Sequence, residues 1–382
     1  MKTVIAIDSF KGSLTSVEAG RACAEGIKRV YPESENIIVP VADGGEGTVD
    51  AMVAGLGGEK VKISVCGPLG EKAQAEYGII AETKTAIIEM SAAAGITLVK
   101  DSERNPLNTT TYGVGEIISD AMERGCRNFI IGIGGSATND GGIGMLQALG
   151  FGMLDKNGNN VPFGAKGIKE VVSITTDEKN PLLSECNFSI ACDVNNPLCG
   201  ENGCSAIYGP QKGADEKMVA DMDSWLSSYA KKVKEVFPDA DENYPGAGAA
   251  GGIGFAFMAF LNGKLERGID IVLRAARLEE LVKDADVVIT GEGRLDKQTA
   301  MGKAPGGIAA IAKKYDKKVI AFSGAVTDDA REVNQNGIDA FFPILRTVCS
   351  LEDAMKTENA YKNMSDIAEQ VFRVMKGCCL NG

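Results

Sequence analysis

The sequence predicts an α/β protein with two domains, in which a discontinuous, doubly wound parallel-sheet domain is interrupted by a second α/β domain with a mixed sheet. Strand and helix patterns alternate over the first sixty residues and again from residue 286 onwards. Between these segments, three strand patterns follow one another without a helix, over residues 62–90. Alternating strands and helices indicate a parallel sheet with crossover helices, whereas consecutive strands joined by turns indicate an antiparallel or mixed sheet.

The first sixty residues form a βαβα pattern. Residues 3–8 and 37–41 are apolar strand patterns, and Ser16 is placed to cap a helix that runs to about residue 31. A shorter helix follows from residue 48. Polar loops at 8–13 and 43–48 come directly after the two strands. We therefore expect both loops at the carboxyl edge of one sheet, where α/β proteins bind ligands.

The middle of the chain predicts the inserted domain, residues 61–285. Strands are expected at 62–66, 75–80, 85–90, 129–131, 171–175 and 188–192, and helices at about 113–124, 144–149, 215–237 and 255–261. From residue 286 the parallel pattern returns, with strands at 286–290, 318–322 and 341–345 and helices at 305–314 and 363–376. Residues 1–60 and 286–382 together predict one domain with about five strands.

Composition excludes several classes of function. The 382 residues carry a formal net charge of −12, which argues against a nucleic-acid partner and against an anionic membrane surface. No run approaches the ~20 apolar residues of a membrane span. The first ten residues predict a strand rather than a signal peptide, and the ten scattered cysteines fit a reducing, cytoplasmic setting. The chain contains no histidine, so acid–base chemistry must use other groups, such as carboxylates.

A glycine-rich polar turn separates the strand at 129–131 from the short helix that ends at Gly150. Glycines allow a ligand to approach the backbone, and a helix N-terminus offers unpaired N–H groups. The turn therefore predicts a phosphate-binding site. Its candidate ligand-binding residues are Gly134, Gly135, Ser136 and Asn139.

Acidic residues accompany glycine in other loops that follow strands, at 8–13, 43–48, 193–196 and 291–297. Carboxylates beside anion-binding loops suggest a phosphate held together with a divalent metal, and hard carboxylate oxygens suit Mg²⁺. Phosphoryl transfer also needs cations near the transferring group. The candidate cations are Lys11, Arg294, Lys297 and Lys303.

A second interpretation of the glycine turn stays open at this point. Gly132-x-Gly134-x-x-Ala137 follows a strand, and Asp155 lies near the position of a ribose-binding acid. This 132–155 unit would suit an NAD-dependent dehydrogenase. A Walker A motif is absent from the sequence.

Seven motifs carry a family resemblance across essentially the whole chain. They are DSFKGSLTS at 8–16, PVADGGEGT at 40–48, IGGSATNDGG at 133–142, CDVNNPLCG at 192–200, GPQKGA at 209–214, GAGAAGGIGFA at 246–256 and TGEGRLDKQTAMGKAP at 290–305. In these motifs the chain resembles bacterial glycerate kinases. The resemblance implies ATP-dependent phosphorylation of D-glycerate, usually to 2-phosphoglycerate, and a flavodoxin-like domain interrupted by a second α/β domain with the active site between them.

Residue roles are assigned by chemistry, with ATP, D-glycerate and Mg²⁺ as the expected ligands. We expect a carboxylate to position or deprotonate the glycerate hydroxyl, a cation to pair with the glycerate carboxylate or the γ-phosphate, and further carboxylates to hold Mg²⁺. The catalytic candidates are Asp8, Lys11, Asp43, Glu292 and Arg294, the substrate-binding candidates Ser9, Gly44 and Gly45, and the metal candidates Glu46, Asp193 and Asp296. A non-catalytic glycerate-binding protein is a further alternative. We expect a monomer or homodimer.

Overall fold

The computed structural model describes residues 1–42, 45, 47–300 and 303–378. Contacts divide the chain into two compact units. Unit 1 comprises Met1–Asp43, Asp50–Gly57 and Ile269–Gly382, and unit 2 comprises Gly44–Val49 and Gly58–Gly268. The first unit is therefore discontinuous in sequence. None of the helices in the described ranges combines the length and apolar character that crossing a membrane requires.

Unit 1 is built on a parallel sheet of five strands: β1 (Lys2–Ile7), β2 (Glu35–Ile38), β11 (Val287–Leu295), β12 (Lys318–Val326) and β13 (Ala340–Pro343). Their spatial order is β13-β12-β11-β1-β2. Numbered within the unit, this is the order 2-1-3-4-5 of flavodoxin-like sheets. The predicted fold class is confirmed for this unit.

Helices cover both faces of this sheet, as in a doubly wound fold. Val4 and Ala6 belong to one apolar cluster, and Ile5 and Ile7 to the other, because successive strand side chains point to opposite faces. The helices of the unit are α1 (Ser16–Val30), α2 (Thr48–Leu56), α10 (Gly268–Ala275), α11 (Leu278–Lys283), α12 (Lys297–Ala300), α13 (Ala304–Lys313), α14 (Leu351–Met355) and α15 (Thr357–Cys378).

The return of the chain to unit 1 occurs at residue 269, earlier than the predicted boundary at 285. Ile269, Leu273, Leu278 and Val282 pack with the apolar residues of the unit 1 sheet. Helices α10 and α11 therefore complete one face of that sheet. Their apolar residues identify segments that must be buried, but they do not indicate against which sheet.

Unit 2 contains a six-stranded mixed sheet in the order β10-β9-β6-β5-β4-β3. Strands β3 to β5 are antiparallel neighbours, whereas β5, β6, β9 and β10 run parallel. The strands are β3 (Glu59–Cys66), β4 (Lys72–Ile80), β5 (Thr85–Glu89), β6 (Asn128–Gly132), β9 (Asn187–Ala191) and β10 (Lys264–Glu266), and a separate antiparallel pair is formed by β7 (Gly152–Leu154) and β8 (Ser173–Thr175).

The helices of unit 2 are α3 (Ser91–Ala94), α4 (Tyr112–Glu123), α5 (Ile143–Ala148), α6 (Ala165–Ile168), α7 (Cys204–Tyr208), α8 (Glu216–Val236) and α9 (Ala249–Leu261). The first turn of α9 is irregular, because Ala250, Gly251 and Gly252 have positive φ. A Cβ on Gly251 would lie 2.1 Å from the Thr138 carbonyl oxygen, so close backbone packing explains the glycines of this segment.

The N-cap of helix α1 lies one residue before the predicted cap, Ser16. Thr15 is the N-cap and forms a capping box with Glu18. The Ser16 hydroxyl instead donates to the Ile7 carbonyl (2.6 Å) and accepts the Val41 N–H (2.9 Å). Ser16 thus fixes the end of β1 to the segment that follows β2.

Helices α1 and α15 pack closely enough that Gly26 has no room for a side chain. A Cβ at Gly26 would lie 2.1 Å from the Ser365 carbonyl oxygen and 2.9 Å from the Glu369 nitrogen, and both are backbone atoms. Gly26→Ala should therefore lower the free energy of unfolding by about 1–3 kcal/mol, as overpacking does. Denaturant unfolding measures this change.

Gly377→Ala is the matched control, since it lies in α15 where a Cβ would meet nothing within 4 Å. It should leave stability unchanged or raise it slightly. Equal stability of Gly26→Ala and the wild type would contradict the packing described here.

Candidate functional site

The carboxyl edge of the unit 1 sheet brings Asp8 and Glu292 together. The Asp8 N–H donates to the Gly291 carbonyl (2.9 Å), and Ile7 pairs with Gly291, so Glu292 is one register step beyond that pair. Strand order reverses between β1 and β11, and α/β sheets bind ligands at such a switch point. These two carboxylates were predicted separately from two loops: Asp8 directly follows β1, and Glu292 lies on the adjacent strand β11.

Asp8 is almost completely buried, with 8 % of its surface exposed. Its Oδ1 accepts the Ser9 N–H at 2.7 Å, which fixes the carboxylate at the end of β1. A Cβ on Gly293 would lie 3.5 Å from the Phe10 Cα and 3.8 Å from the Lys11 nitrogen. The loop that carries Lys11 therefore runs alongside β11, next to Glu292.

Glu292 is half-buried, and its side chain is held by the short helix α12, which follows β11 in the chain. The Thr299 hydroxyl in α12 donates to Glu292 Oε1 at 2.5 Å. Thr299 and Asp296 cap each other, since the Asp296 N–H donates to Thr299 Oγ1 and the Thr299 N–H to Asp296 Oδ1, both at 3.2 Å. Lys303 Nζ lies 3.6 Å from Asp296 Oδ1. This capped turn fixes the Glu292 side chain.

Burial raises the pKa of the Glu292 carboxyl, although the Thr299 hydrogen bond, Lys303 and Lys11 act in the opposite direction. A raised pKa makes the carboxylate a stronger base. It therefore accepts a proton from a substrate hydroxyl more readily, as a general base near neutral pH must. The environment of Glu292 thus suits proton transfer.

The cations of this edge differ in their surroundings. Arg294 is exposed and lies two residues beyond Glu292 on β11, on the same face of the strand. Lys11 is also exposed. Lys297 forms an ion pair with Glu332 at 3.3 Å. Lys11 and Arg294 are the cations next to Glu292, since Lys11 acts electrostatically on its carboxyl and Arg294 follows it on the strand.

Three predicted residues, Asp43, Gly44 and Glu46, lie outside the described residues. Gly45 between them is described, and its carbonyl accepts from the Thr48 N–H (3.2 Å) and the Thr48 hydroxyl (2.7 Å). Gly45 thus caps the start of α2 with its carbonyl group. Its role in substrate binding stays a prediction.

In unit 2, the predicted phosphate turn has an exposed half and a buried half. Gly134 and Gly135 are exposed, and a Cβ on Gly134 would meet nothing within 4 Å. In the ranges that the structure describes, no hydrogen bond uses the N–H groups of residues 134–136. This segment leaves its backbone donors open to a ligand, as an anion-binding loop requires.

The buried half of the turn consists of Thr138, Asn139 and Asp140, none of which is exposed to solvent. Asn139 Nδ2 donates to Ser205 Oγ (2.9 Å), so this amide holds the turn to α7. The N–H and hydroxyl of Thr111 both donate to Asp140 Oδ2 at 2.9 Å. These contacts stabilise the turn, and Asn139 is less accessible to a phosphate than its sequence position indicates.

The N-terminus of helix α5 also differs from the prediction. The Met145 N–H donates to Thr111 Oγ1 (2.9 Å), and the Gly142 N–H donates to Asp140 Oδ1 (3.1 Å). These amides are satisfied by buried side chains, because a buried N–H without a partner is costly. The open donors of the turn are therefore those of residues 134–136, before the helix.

The two described candidate metal ligands, Asp193 and Asp296, each accept a backbone hydrogen bond in their own unit. Asp193 follows β9, and its Oδ1 accepts the Gly268 N–H at 3.2 Å, whereas Asp296 belongs to the capped turn of unit 1. Among the described residues, no group of three or more acidic or cysteine side chains could hold a metal. Mg²⁺ bound with a nucleotide takes one or two protein carboxylates beside phosphate and water ligands, and a single carboxylate such as Asp193 or Asp296 would suit it.

The dinucleotide-binding alternative is overturned by the topology. In a mononucleotide unit, the second strand pairs in parallel with the sheet of the first. Strand β7, which ends just before Asp155, instead pairs antiparallel with β8 in a separate two-stranded sheet. The helix between β6 and β7 is only six residues long. The 132–155 segment is therefore not a Rossmann unit.

Two residues that were not among the predicted site residues, Thr299 and Lys212, contact predicted ones. Thr299 lies within the TGEGRLDKQTAMGKAP motif, seven positions after Glu292, and only the fold of α12 shows that its hydroxyl meets that carboxylate. Lys212 lies in the GPQKGA motif, and its Nζ donates to Ser136 Oγ. Neither residue type indicates a role at a site from the sequence alone, because both contacts depend on tertiary structure.

Comparisons with known proteins agree with this architecture. The sequence profile of the glycerate kinase family matches residues 3–376. The chain is 50% identical over 364 residues to the glycerate 2-kinase of Escherichia coli (strain K12), covering 95% of each chain, and 47% identical over 375 residues to a glycerate kinase of Haemophilus influenzae, covering 98% and 99%. A crystal structure described as glycerate kinase 2 from Salmonella typhimurium LT2 superposes with a TM-score of 0.92 at 44% identity, covering 100% and 99%.

The chain therefore belongs to the glycerate kinase family, and it is a kinase. The resemblance identified from the motifs is confirmed.

The raised pKa of Glu292 predicts a pH-dependent stability. The folded state binds its proton more tightly than the unfolded state, so stability falls as pH rises from the unfolded pKa through the folded pKa. Glu292→Gln removes this cost and keeps an acceptor for Thr299. We expect a higher Tm than wild type at pH 8 and a smaller difference at pH 5, measured by thermal unfolding.

Glu33→Gln is the matched control, because Glu33 is an exposed acid of the same unit and its substitution should leave both Tm values unchanged. A Glu292→Gln variant that is less stable than wild type at pH 8 would show that the buried carboxylate stabilises the fold.

Proposed function

We propose that this kinase transfers the γ-phosphoryl group of ATP to a hydroxyl of D-glycerate and that its product is 2-phosphoglycerate. Similarity to proteins named glycerate kinase or glycerate 2-kinase over nearly the full chain supports the substrate class. The observation that carries the proposal is the pair Asp8 and Glu292 at the switch point of a flavodoxin-like sheet. Phosphoryl transfer needs a carboxylate that positions the attacking hydroxyl.

Glu292 is the carboxylate we assign to the glycerate hydroxyl. Its burial raises its pKa, and the Thr299 hydroxyl holds one of its oxygens. Asp8 is fixed at the end of the adjacent strand and helps to orient the same hydroxyl. Asp43, which lies outside the described residues, remains a third candidate for this role.

Cations of the same edge are assigned to the anionic parts of the substrates. Glycerate carries a carboxylate, and ATP carries three phosphates, so charge-assisted hydrogen bonds to either would orient the reactants. Lys11 runs alongside β11 and Arg294 follows Glu292 on that strand. The Gly134–Gly135 segment of unit 2 supplies open backbone donors for an oxyanion. The proposal includes the expectation that residues of both units serve one reaction.

Mg²⁺ completes the proposal. When bound, it neutralises charge on the phosphates and lowers the barrier to their transfer. Asp296, Asp193 and Glu46 are the candidate carboxylates, directly or through water, and Glu46 lies outside the described residues. A single carboxylate suffices for a metal that arrives with a nucleotide.

One experiment tests the activity and its product. Purified protein is mixed with Mg-ATP and D-glycerate, ADP release is followed in a coupled assay, and the phosphoglycerate isomer is identified by ³¹P and ¹³C NMR. We expect ADP release that depends on D-glycerate, with 2-phosphoglycerate as the product. Formation of 3-phosphoglycerate would overturn the regiochemistry alone. Glycerate binding without ADP release would instead support a non-catalytic binding protein.

Glu292→Gln and Asp8→Asn should each lower kcat by at least ~10²-fold, because each removes a group that positions or deprotonates the hydroxyl. Steady-state kinetics with Mg-ATP and D-glycerate measure this loss, and circular dichroism verifies the fold. Glu33→Gln is the control for loss of an exposed acid in the same unit. Near-wild-type turnover in a folded variant would remove that residue from the mechanism.

A further inference from the structure

Lys212 is a buried cation that donates hydrogen bonds to the glycine turn in unit 2. Only 2 % of its surface is exposed. Its Nζ donates to Ser136 Oγ at 2.9 Å and to the Thr138 carbonyl at 2.6 Å. The ammonium group therefore contacts the turn at Ser136, the residue that directly follows the exposed Gly134 and Gly135.

Lys212 lies in a tight backbone turn between two glycines. Residues Pro210–Lys212 form a 3₁₀ turn that ends at Gly213, whose φ is +94°. A Cβ on Gly213 would lie 2.2 Å from the Arg104 carbonyl oxygen, and one on Gly209 would lie 2.3 Å from the Ser205 carbonyl oxygen. Both glycines of the GPQKGA motif are thus required for the turn that carries Lys212.

Packing alone does not explain a lysine at this position. Burying an ammonium group costs folding free energy, and replacing a buried charge with an apolar side chain of similar volume is often neutral or stabilising. Asp140 lies near enough to raise the pKa of Lys212, but its oxygens accept hydrogen bonds from Thr111 and Gly142. Lys212 donates to the turn instead, which indicates a role at the turn.

The hydrogen-bond direction at Ser136 follows from the chemistry of lysine. An ammonium group has donors and no acceptor, so Ser136 Oγ must accept from Lys212. The hydroxyl hydrogen of Ser136 can then be donated elsewhere, and within residues 1–42, 45, 47–300 and 303–378 no hydrogen bond uses it. Ser136 retains 7 % exposure, beside the open N–H groups of Gly134 and Gly135.

We propose that Lys212 is a positioning residue for oxyanion binding, which holds the Ser136 hydroxyl so that it donates to an oxyanion at the Gly134–Gly135 turn and which adds positive charge behind that turn. This inference rests on the proposed function, which supplies two oxyanionic ligands, a nucleotide phosphate and the glycerate carboxylate. The charge acts through Ser136 and does not touch the ligand. Both the phosphate and the carboxylate are oxyanions, and either would accept hydrogen bonds from two backbone N–H groups and one hydroxyl.

The test measures binding by isothermal titration calorimetry, with a non-hydrolysable ATP analogue in one arm and D-glycerate in the other. Lys212→Met should raise Kd for the oxyanion that sits at the turn by at least ~10-fold, because it removes the charge and the group that orients Ser136. The arm that changes identifies the phosphate or the carboxylate as the ligand. Lys217→Met, an exposed lysine of the same unit, is the charge-matched control and should leave both Kd values unchanged.

Ser136→Ala gives a second, independent variant that keeps the buried cation. It should raise the same Kd by ~3–10-fold. Because Lys212 acts through Ser136, the double variant should bind only slightly more weakly than Lys212→Met alone. Fully additive effects, or a Kd within twofold of wild type for both single variants, would overturn the proposal.

A pH profile separates this role from a structural one. Burial lowers the pKa of Lys212 to about 8, opposed by the nearby Cys204 and Asp140. The Cys204 thiol stays neutral in this range, since burial raises its pKa to about 11. Oxyanion affinity of the wild type should therefore fall between pH 7 and pH 9, whereas that of Lys212→Met should stay constant. Identical profiles would contradict a charge role for Lys212.

Turnover of the wild type with Mg-ATP and D-glycerate is measured alongside. If the wild type turns over and the Lys212 and Ser136 variants bind both ligands normally, this inference fails and the proposed function stands. If the wild type binds neither ligand, the proposed function fails and the inference fails with it.

Discussion

The parallel pairing of β1 with β11 is the contact on which the unit 1 site depends. Paired residues of these strands lie 284 positions apart in sequence, since Thr3 pairs with Val287 and Ile7 with Gly291. This register places Asp8 and Glu292 side by side where the strand order reverses. A Cβ on Gly291 would lie 2.1 Å from the Phe322 carbonyl oxygen, so the next strand also approaches too closely for any side chain. A shift of register by one residue would turn Glu292 to the opposite face of the sheet.

Asp140, which is fully buried, and Glu292, which is half-buried, show that burial of an acid can serve either structure or chemistry. Burial raises the pKa of both Asp140 and Glu292. Asp140 accepts hydrogen bonds from two groups of Thr111 and from the Gly142 N–H, which leaves it little capacity for a ligand. Within the described part of the chain, Glu292 receives one hydrogen bond, from Thr299. Asp140 therefore organises a turn, whereas Glu292 retains acceptor capacity for a substrate proton.

The sequence predicted most strands and the longer helices well, because apolar periodicity and turn residues are local signals. The antiparallel β3–β5 segment and the five parallel strands of unit 1 both follow from such patterns. The helix cap was one residue off: Ser16 has the chemistry of a cap, but its hydroxyl bonds to Ile7 and Val41 through tertiary structure. Helices α10 and α11 were also not assigned to unit 1, because an apolar helix does not identify its partner.

Site prediction was more limited, for a physical reason. Residue type identifies Asp8 and Glu292 as acids and Asn139 as a donor, but accessibility decides which of them can meet a ligand. Asn139 is fully buried and bonded to Ser205, while the plain glycines at 134 and 135 are exposed. Lys212 is the converse case, because it was not predicted as a site residue but contacts one. Lysine is rarely buried, so its contact with Ser136 could not be expected from sequence.

The absence of histidine explains why burial is central to this protein. With no imidazole, carboxylates with a raised pKa and lysines with a lowered pKa are among the groups that can take over its proton chemistry. The structure contains both, in Glu292 and Lys212. Each is shifted mainly by desolvation, and each contacts a hydroxyl, Thr299 or Ser136. A chain with net charge −12 can bind anionic substrates because such local fields, rather than its total charge, act on the ligand.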